Sequence, residues 1–475
     1  MEKSSLILEK PFPKLEKSSR MVETSFRMLE KLFRKVEKPF LKLEKSFPKL
    51  KKPFPKLEKP LRGKYWKIFL FSILTFFSLF SEAKTLNIGK QFQIHSIQQA
   101  IKHSTDGDTL IVASGTYLEH NIIIDKSITI IGINHPTIDG ESKSEIVSIK
   151  ANYVTFSGFT IQHSGYATMT DPAGIKIYDA HNVTISDNII DDTFFGIYSQ
   201  NAKNCIIKNN KLKSYGRQEQ EIGNGIHCWK CDSMQIIGNT IAGHRDGIYF
   251  EFVTNSIIWR NISTNNIRYG LHFMFSHNDS YITNLFKNNG AGVAVMFTHG
   301  VKMVNNTFEE NWGDAAYGLL LKEISDSYIV NNKFKKNTVG IYMEGASRSQ
   351  MENNTFENNG WAIKIQASCM DVVITKNNFF GNTFDVGTNG TLVLNSFNSN
   401  YWDKYQGYDI NKDKIGDVPY RPISMFSMII EKNPPAMILF RSIMVSLLDK
   451  IEKIIPTLTP ENLKDETPLM KPLPL

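Results

Sequence analysis

Cysteine is scarce in this chain, with only four in 475 residues, at positions 205, 228, 231 and 369. So few cysteines exclude a small fold built on disulfides. The pair Cys228 and Cys231 also lacks the second pair that a zinc site needs, and the β-α-β context of a thioredoxin. Two interpretations of this pair stay open, a disulfide formed in an oxidising compartment or packed thiols beside a turn.

Beyond its first 62 residues the chain lacks an excess of positive charge. Residues 1–62 hold 18 Lys and Arg against 8 Glu, a net charge of +10, whereas the whole chain carries +8. Residues 63–475 therefore carry about −2, so the basic isoelectric point belongs to the N-terminal extension. We expect no nucleic-acid partner, since nothing in the larger part of the chain provides a basic surface.

The apolar run Ile68–Phe80 is too short for a comfortable membrane span. It follows a basic region and precedes the small-x-small sequence Ser81-Glu82-Ala83, which predicts a secretory signal at 63–83; a short membrane anchor is the alternative. Residues 1–62 repeat every seven residues, but prolines argue against a coiled coil. We interpret them as a low-complexity extension that is disordered or an artefact of the chosen start.

Helical periodicity is missing from the centre of the chain, and another repeat takes its place. Between Gly174 and Phe379 a phrase recurs in steps of 22 to 29 residues: a Gly, an alternating apolar run, a polar turn, and Asn before an apolar residue. A fixed period of this size predicts a solenoid. The phrase begins at Gly174, Gly196, Gly225, Gly247, Gly270, Gly292, Gly318, Gly340 and Ala362.

The repeat predicts an all-β fold, a right-handed parallel β-helix over residues 84–399. Runs rich in Ile, Val, Tyr and Phe are typical of strands, and a unit of about 22 residues buries its apolar face only by stacking on its neighbours. The residue after each Gly should point inward. Asn residues near the end of each unit should lie in left-handed turns and could stack as a ladder. They are Asn188, Asn210, Asn239, Asn306, Asn332, Asn354 and Asn378.

The two ends of the solenoid differ from the repeat. Residues 97–101 predict an N-terminal capping helix, similar to that of pectin-lyase-like β-helices. Residues 400–433 form a non-repetitive segment, and 434–475 hold an amphipathic helix at Met437–Ile455 and a Pro-rich tail. We expect this helix to bind a partner rather than the solenoid. Its apolar face includes Leu439, Ile443, Leu447 and Ile451.

Two consecutive units share the phrases Met274-Phe-Ser-His277 and Met296-Phe-Thr-His299. Equal offsets from Gly270 and Gly292 should place each Met beside the other Met and each His beside the other His. His272 should lie on the same face as Met274. Thioethers and imidazoles suit Cu(I), so these five residues are candidate copper ligands; the alternative is apolar surface cover with His at turns.

A second candidate metal site is a loop that resembles a calcium-binding loop. Its candidate ligands are Asp409, Asn411, Asp413 and Asp417. Lys414 stands where such a loop has Gly, and Tyr420 stands where it has Glu. No paired carboxylates, serine–histidine nucleophile or phosphate loop emerges from the rest of the sequence, so we predict that the protein is not an enzyme.

Several segments together resemble the NosD family of the nitrous oxide reductase maturation system. They are DGIYFEFVTNS, RYGLHFMFSHN, GAGVAVMFTHGVKMVNN, NYWDKYQGYDINKDKIGDVPYRP and the PLMKP sequence near the end. The resemblance implies a non-catalytic periplasmic protein that assembles the copper–sulfide centre of nitrous oxide reductase. The implied partners are an ABC-type permease, through which it would be membrane-associated, the permease's ATPase, a copper chaperone and the reductase. The alternative is a secreted β-helix polysaccharide lyase or epimerase.

Overall fold

The computed structural model describes residues 83–166, 170–390, 394–440, 442–454 and 463–474. The extension predicted at 1–62 and the signal predicted at 63–83 lie outside the described residues, Ala83 apart. Within these ranges the chain forms a parallel β-solenoid of about 14 turns, and its helices are few and short. No helix among the described residues is long and apolar enough to cross a membrane.

Three parallel sheets run the length of the solenoid, and successive strands along the chain pass from one sheet to the next. The 14-stranded sheet contains β1 Thr85–Ile88, β2 Thr109–Val112, β5 Thr129–Gly132, β8 Thr155–Ser157, β11 Thr184–Ser186, β14 Ile206–Lys208, β17 Gln235–Ile237, β20 Ile257–Trp259, β23 Ser280–Ile282, β26 Lys302–Val304, β29 Tyr328–Val330, β32 Gln350–Glu352, β35 Met370–Thr375 and β38 Leu394–Asn398. The 13-stranded sheet contains β3 Thr116–Leu118, β6 Thr137–Asp139, β9 Thr160–Gln162, β12 Ile189–Asp191, β15 Lys211–Lys213, β18 Thr240–Ala242, β21 Ile262–Thr264, β24 Leu285–Lys287, β27 Thr307–Glu309, β30 Lys333–Lys335, β33 Thr355–Glu357, β36 Asn378–Phe380 and β39 Tyr401–Trp402. The 12-stranded sheet contains β4 Ile122–Ile124, β7 Val147–Ile149, β10 Ala173–Tyr178, β13 Phe195–Gln200, β16 Ile226–Trp229, β19 Ile248–Glu251, β22 Tyr269–Met274, β25 Ala291–His299, β28 Tyr317–Ser325, β31 Val339–Glu344, β34 Trp361–Ile365 and β37 Phe384–Gly387.

The Gly column lies in the 12-stranded sheet, as the repeat predicts. Ile175 pairs with Ile197 and both are fully buried, so the residue after each Gly does point inward. A Cβ on Gly270 would lie 2.7 Å from the carbonyl oxygen of Gly292 on the next coil. This close approach of consecutive backbones explains why Gly recurs at this position.

Buried asparagines stack in a ladder, as predicted, but the details differ from the prediction. Asn210 Nδ2 donates to Asn239 Oδ1 at 3.0 Å, and the same contact repeats on coil after coil. The left-handed residue is the one before each ladder Asn, such as Asn209 or Asn305. Near the end the ladder uses Asn377, so the prediction for Asn378 is wrong. The ladder comprises Asn188, Asn210, Asn239, Asn261, Asn284, Asn306, Asn332, Asn354, Asn377 and Asn400.

The last residues of the chain close the end of this ladder. Asp465 is fully buried, and its Oδ2 accepts from Asn400 Nδ2 at 2.9 Å, where the next Asn of the ladder would stand. Leu463 is buried in the main core. The tail thus contacts the end of the solenoid through Leu463 and Asp465, and the bounds predicted for the C-terminal segments stay a prediction.

Helix α1, Ile97–His103, forms where the sequence predicts a helix. It lies between β1 and β2 in the chain and contacts β1, β2 and β4. Ser96 and Glu119 accept hydrogen bonds from its first N–H groups, and Lys126 Nζ donates to the carbonyl of Ile101 at 2.7 Å. Free backbone N–H groups at the start of the helix and a carbonyl near its end thus have hydrogen-bond partners. These bonds stabilise a helix of only seven residues.

Two further helices and a 3-10 turn follow the solenoid. They are α2 Met425–Lys432, the 3-10 helix Pro434–Leu439 and α3 Ile443–Ile454. The prediction of one continuous helix over Met437–Ile455 is wrong, because Phe440 has an extended ψ of 132°. The hydroxyl of Ser442 accepts from the N–H of Val445, which starts α3 as a separate helix.

A buried carboxyl inside the solenoid leads to a first prediction. Burial is the main cause that raises the pKa of Asp279 to about 8, and its Oδ2 has no hydrogen-bond partner among the described residues. The folded state therefore binds a proton that the unfolded state releases near pH 4, so Asp279 lowers stability progressively as pH rises from about 4 to 8. We expect Asp279→Asn to raise the free energy of unfolding at pH 7 by about 1–3 kcal/mol.

Urea unfolding of the two proteins at several pH values checks this. The gain from Asp279→Asn should be small at pH 4 and largest at pH 8. A gain independent of pH would show that the side chain's shape, rather than its ionisation, is responsible.

Candidate functional site

The candidate copper ligands Met274 and Met296 lie side by side on the outer face of the 12-stranded sheet. They are paired residues of the adjacent strands β22 and β25, as their equal offsets from Gly270 and Gly292 predict. Both are half-buried. The hydroxyl of Tyr249, on β19 of the preceding coil, lies 3.5 Å from the sulfur of Met274 and donates to it. This contact fixes the thioether without removing it from the surface.

The rings of His277 and His299 are also brought together. Their centroids lie 4.1 Å apart with an interplanar angle of 11°. The backbone N–H of His299 donates to Nδ1 of His277 at 3.3 Å. Partial burial, and then the neighbouring His299, lower the pKa of His277, so this imidazole is neutral at pH 7. A neutral imidazole is the form that binds metals.

His272 lies apart from that histidine pair, two residues before Met274 on β22. Its side chain is about 6% exposed, and its Nδ1 lies 3.7 Å from Oδ2 of the buried Asp246. Its ring packs against Tyr249 at 4.8 Å and Tyr269 at 4.7 Å. Neither ring nitrogen has a hydrogen-bond partner in the described part of the chain.

The sequence thus predicts the pairs correctly, but not the environment of His272. No group of three or more His, Cys, Asp or Glu residues in the described ranges is arranged to hold a metal ion. Any site here therefore depends on the two thioethers. A binding role for all five residues stays a prediction.

Three phenylalanines beside the methionines are a feature that sequence reasoning missed. Phe252, Phe275 and Phe297 have φ values of 54°, 49° and 54°, and their rings stack at 5.3 and 5.2 Å. They are 37–44% exposed. A bulky residue rarely adopts this left-handed conformation, so both the backbone and the exposure are unfavourable here. The phrase Met-Phe-Ser/Thr-His was visible, but only the backbone shows the strain.

The calcium-like loop is held together by its own side chains. Asp409 accepts from the N–H groups of Asp413 and Lys414, and Asp417 accepts from Ile410 at 2.6 Å. Asn411 donates to Asp413 at 3.0 Å. Lys414, which departs from the usual Gly, adopts a φ of 73°. The four residues share one loop, and calcium binding there stays a prediction.

The four cysteines are free and buried. Burial raises the pKa of Cys205 to about 11 and the pKa of Cys228 well above its ordinary value. Thiols in this protonated form are poor nucleophiles and poor metal ligands. Of the two interpretations of Cys228 and Cys231, the structure shows packed thiols.

The predicted partner-binding residues are exposed to different extents. Leu439, Ile443 and Leu447 are 45%, 89% and 52% exposed, while Ile451 is half-buried. The opposite side of α3 does contact the solenoid, because Val445 is buried in a cluster with Trp361 and Phe384. The helix therefore rests on the last coils and presents an uncovered apolar stripe.

Comparisons with known proteins match most of the solenoid. A family model described as "Periplasmic copper-binding protein (NosD)" matches residues 213–414, and a right-handed β-helix model matches residues 93–220. A probable ABC transporter binding protein NosD of Stutzerimonas stutzeri is 25% identical over 354 residues, which cover 70% of this chain and 80% of that protein. Residues 213–414 are thus similar to the NosD family, and most of the chain is similar to that NosD protein.

The NosD model spans both methionines and all three candidate histidines, and it ends at residue 414 inside the calcium-like loop, before Asp417. A cell surface glycoprotein of Methanothermus fervidus is 28% identical over 39% of this chain, and the chain spans about a third of that protein, 35% of its length. Among solved structures, the Streptococcus pneumoniae adhesin PfbA has a TM-score of 0.51 at 14% identity and covers 62% of this chain and 96% of its own. That likeness shows the fold alone.

Proposed function

We propose that this protein is a periplasmic accessory component of an ABC transporter that binds Cu(I) and serves the assembly of the copper–sulfide centre of nitrous oxide reductase. The observation that carries the proposal is the pairing of Met274 with Met296 on adjacent strands within the range of the NosD model. Two curated relatives are named probable ABC transporter binding proteins, which supports the transporter as partner.

The side chains of Met274 and Met296 and the nearby candidate histidines suit a soft, monovalent metal ion. Thioether sulfur prefers Cu(I) over harder ions, and Cu(I) accepts few ligands. The neutral His277, and His272, whose ring nitrogens have no hydrogen-bond partner among the described residues, are the candidate nitrogen ligands. In this proposal copper is a cargo that the protein receives from a copper chaperone and passes towards the reductase, so the protein needs no catalytic residue.

The uncovered stripe on α3 supports the contact with the transporter. Ile443 and Leu447 are exposed although α3 packs its opposite side on the solenoid, and an amphipathic helix is a common docking element. We also propose that α1 closes the core at its N-terminal end, because it contacts β4, the terminal strand of the 12-stranded sheet.

The transporter contact is tested by placing charge on the stripe. We expect Ile443→Glu with Leu447→Glu to weaken binding to the cognate permease–ATPase complex at least tenfold, which is about 1.4 kcal/mol, because two desolvated apolar contacts are lost. Co-purification and a titration with the detergent-solubilised complex measure this.

Ile257→Glu with Ile262→Glu is the matched control, since both isoleucines are exposed apolar residues on β20 and β21 of the solenoid rather than on α3. It should bind as the parent does, and all three proteins should unfold at the same temperature. Equal binding by the α3 double variant and the parent would contradict a role for α3.

A further inference from the structure

The surroundings of His272 contain buried polar groups that the fold leaves unpaired. Asp246 is 1% exposed, and its Oδ2 has no hydrogen-bond partner among the described residues. The same holds for Nδ1 and Nε2 of His272, which is 5% exposed. A buried polar group without a hydrogen-bond partner destabilises the folded state, so an unpaired His–Asp contact needs an explanation beyond stability.

Asp246 and Tyr249 come from the coil before His272 and Met274. Asp246 lies in the turn that leads into β19, and Tyr249 lies on β19 itself. Each contacts one candidate ligand on β22: Asp246 Oδ2 lies 3.7 Å from His272 Nδ1, and Tyr249 donates to the sulfur of Met274 at 3.5 Å. Two residues of one coil, Asp246 and Tyr249, therefore contact two candidate ligands of the next coil, His272 and Met274.

We propose that Asp246 is a positioning residue that holds His272 as the Nδ1–H tautomer and leaves Nε2 as the nitrogen that binds the metal. This inference rests on the proposed Cu(I) site. A shift of roughly 0.8 Å would turn the 3.7 Å contact into an N–H···O hydrogen bond of about 2.9 Å. Metal-bound histidines usually donate their other ring N–H to a carboxylate or a carbonyl, which fixes the ring and its tautomer.

The other charges around Asp246 agree with this role. Arg245 Nε and Arg268 Nε lie 3.9 and 3.8 Å from its carboxylate, and Glu219 lies 3.7 Å from Arg268. The negative charge is thus compensated, yet no guanidinium nitrogen is recorded within hydrogen-bond distance of Oδ2. His272 Nδ1 at 3.7 Å is nearer to Oδ2 than Arg245 Nε at 3.9 Å, which also has no hydrogen-bond partner among the described residues.

His227 provides an internal comparison. It occupies the same column as His272, two coils earlier, but its Nδ1 contacts the amide of Asn224 at 3.2 Å rather than a carboxylate. Asn224 and Asp246 both stand directly before a Gly of the repeat. Asn224→Ala therefore makes the same kind of change without touching the candidate ligands.

The test measures Cu(I) affinity of the full chain by competition with a chromogenic Cu(I) chelator. We expect Asp246→Ala and Asp246→Asn to lower the affinity 10–100-fold, Asp246→Glu to recover part of the loss, and Asn224→Ala to change nothing. His272→Gln should lose at least as much as Asp246→Ala. Unchanged affinity in Asp246→Ala would overturn the inference.

A second measurement needs no metal and separates this inference from the proposed function. Long-range ¹H–¹⁵N spectra of the metal-free chain, labelled at histidine, report which nitrogen of His272 carries the proton. The Nδ1–H tautomer is expected in the parent and the Nε2–H tautomer in Asp246→Ala. An Nε2–H tautomer in the parent overturns the inference even if copper binds. If the tautomer is as expected and no Cu(I) binds, the proposed function fails instead.

Discussion

Replacing Asp465 with alanine is expected to lower the free energy of unfolding by about 3–5 kcal/mol, because several buried donors lose their acceptor at once. The carboxylate accepts from the backbone N–H groups of Ser399 and Asn400 at 3.0 and 2.9 Å, and from the indole N–H of Trp402 at 3.0 Å. It also ends the asparagine ladder at Asn400. Urea unfolding followed by circular dichroism measures the change.

Asp465→Asn is the matched control for this prediction. An amide keeps the shape and one oxygen, so it can still accept from Asn400 as a further Asn of the ladder would, but its NH₂ faces other donors. We expect it to lose less than Asp465→Ala does. A loss below about 1 kcal/mol in Asp465→Ala would show that water replaces the carboxylate and that the tail does not hold the solenoid's end.

The repeat made the solenoid predictable, because inward residues and Gly return at fixed steps. Ile175 and Ile197 are buried in register, and Met274 pairs with Met296, all from sequence offsets alone. A stacked fold converts sequence spacing into spatial neighbours, so contacts between consecutive coils are local in this sense.

Contacts that do not follow the period were beyond sequence reasoning. Asp465 accepts a hydrogen bond from Asn400, which lies 65 residues earlier in the chain. No sequence pattern in the Pro-rich tail predicts that contact. Asp246 reaches His272 from a turn rather than a strand, so its offset from Gly did not reveal the contact. The sequence predicts the left-handed conformation at the ladder Asn, whereas the residue before it adopts that conformation, because both positions favour Asn.

Replacing Met274 and Met296 with leucine is expected to lower Cu(I) affinity about 100-fold, or about 2.8 kcal/mol, because both soft ligands are lost. Leucine has a similar volume and keeps the apolar cover. The free energy of unfolding of the variant should therefore differ from that of the parent by less than about 1.5 kcal/mol. Competition titration with a Cu(I) chelator measures the affinity. The paired change thus separates a ligand role from simple packing.

Met343→Leu with Met351→Leu is the matched control for that variant. Both residues are fully buried in the core, so this variant also loses two thioether sulfurs, but none from the outer face. Cu(I) affinity should equal that of the parent. Equal affinity in the outer-face variant as well would mean that the methionines only cover the surface.

X-ray absorption at the copper K-edge of the Cu(I)-loaded full chain identifies the ligands of the bound metal. We expect two sulfur ligands and at least one imidazole nitrogen, and we expect both sulfurs to disappear when Met274 and Met296 are replaced by leucine. A spectrum with nitrogen or oxygen ligands alone, or one that the leucine variant leaves unchanged, would contradict this expectation.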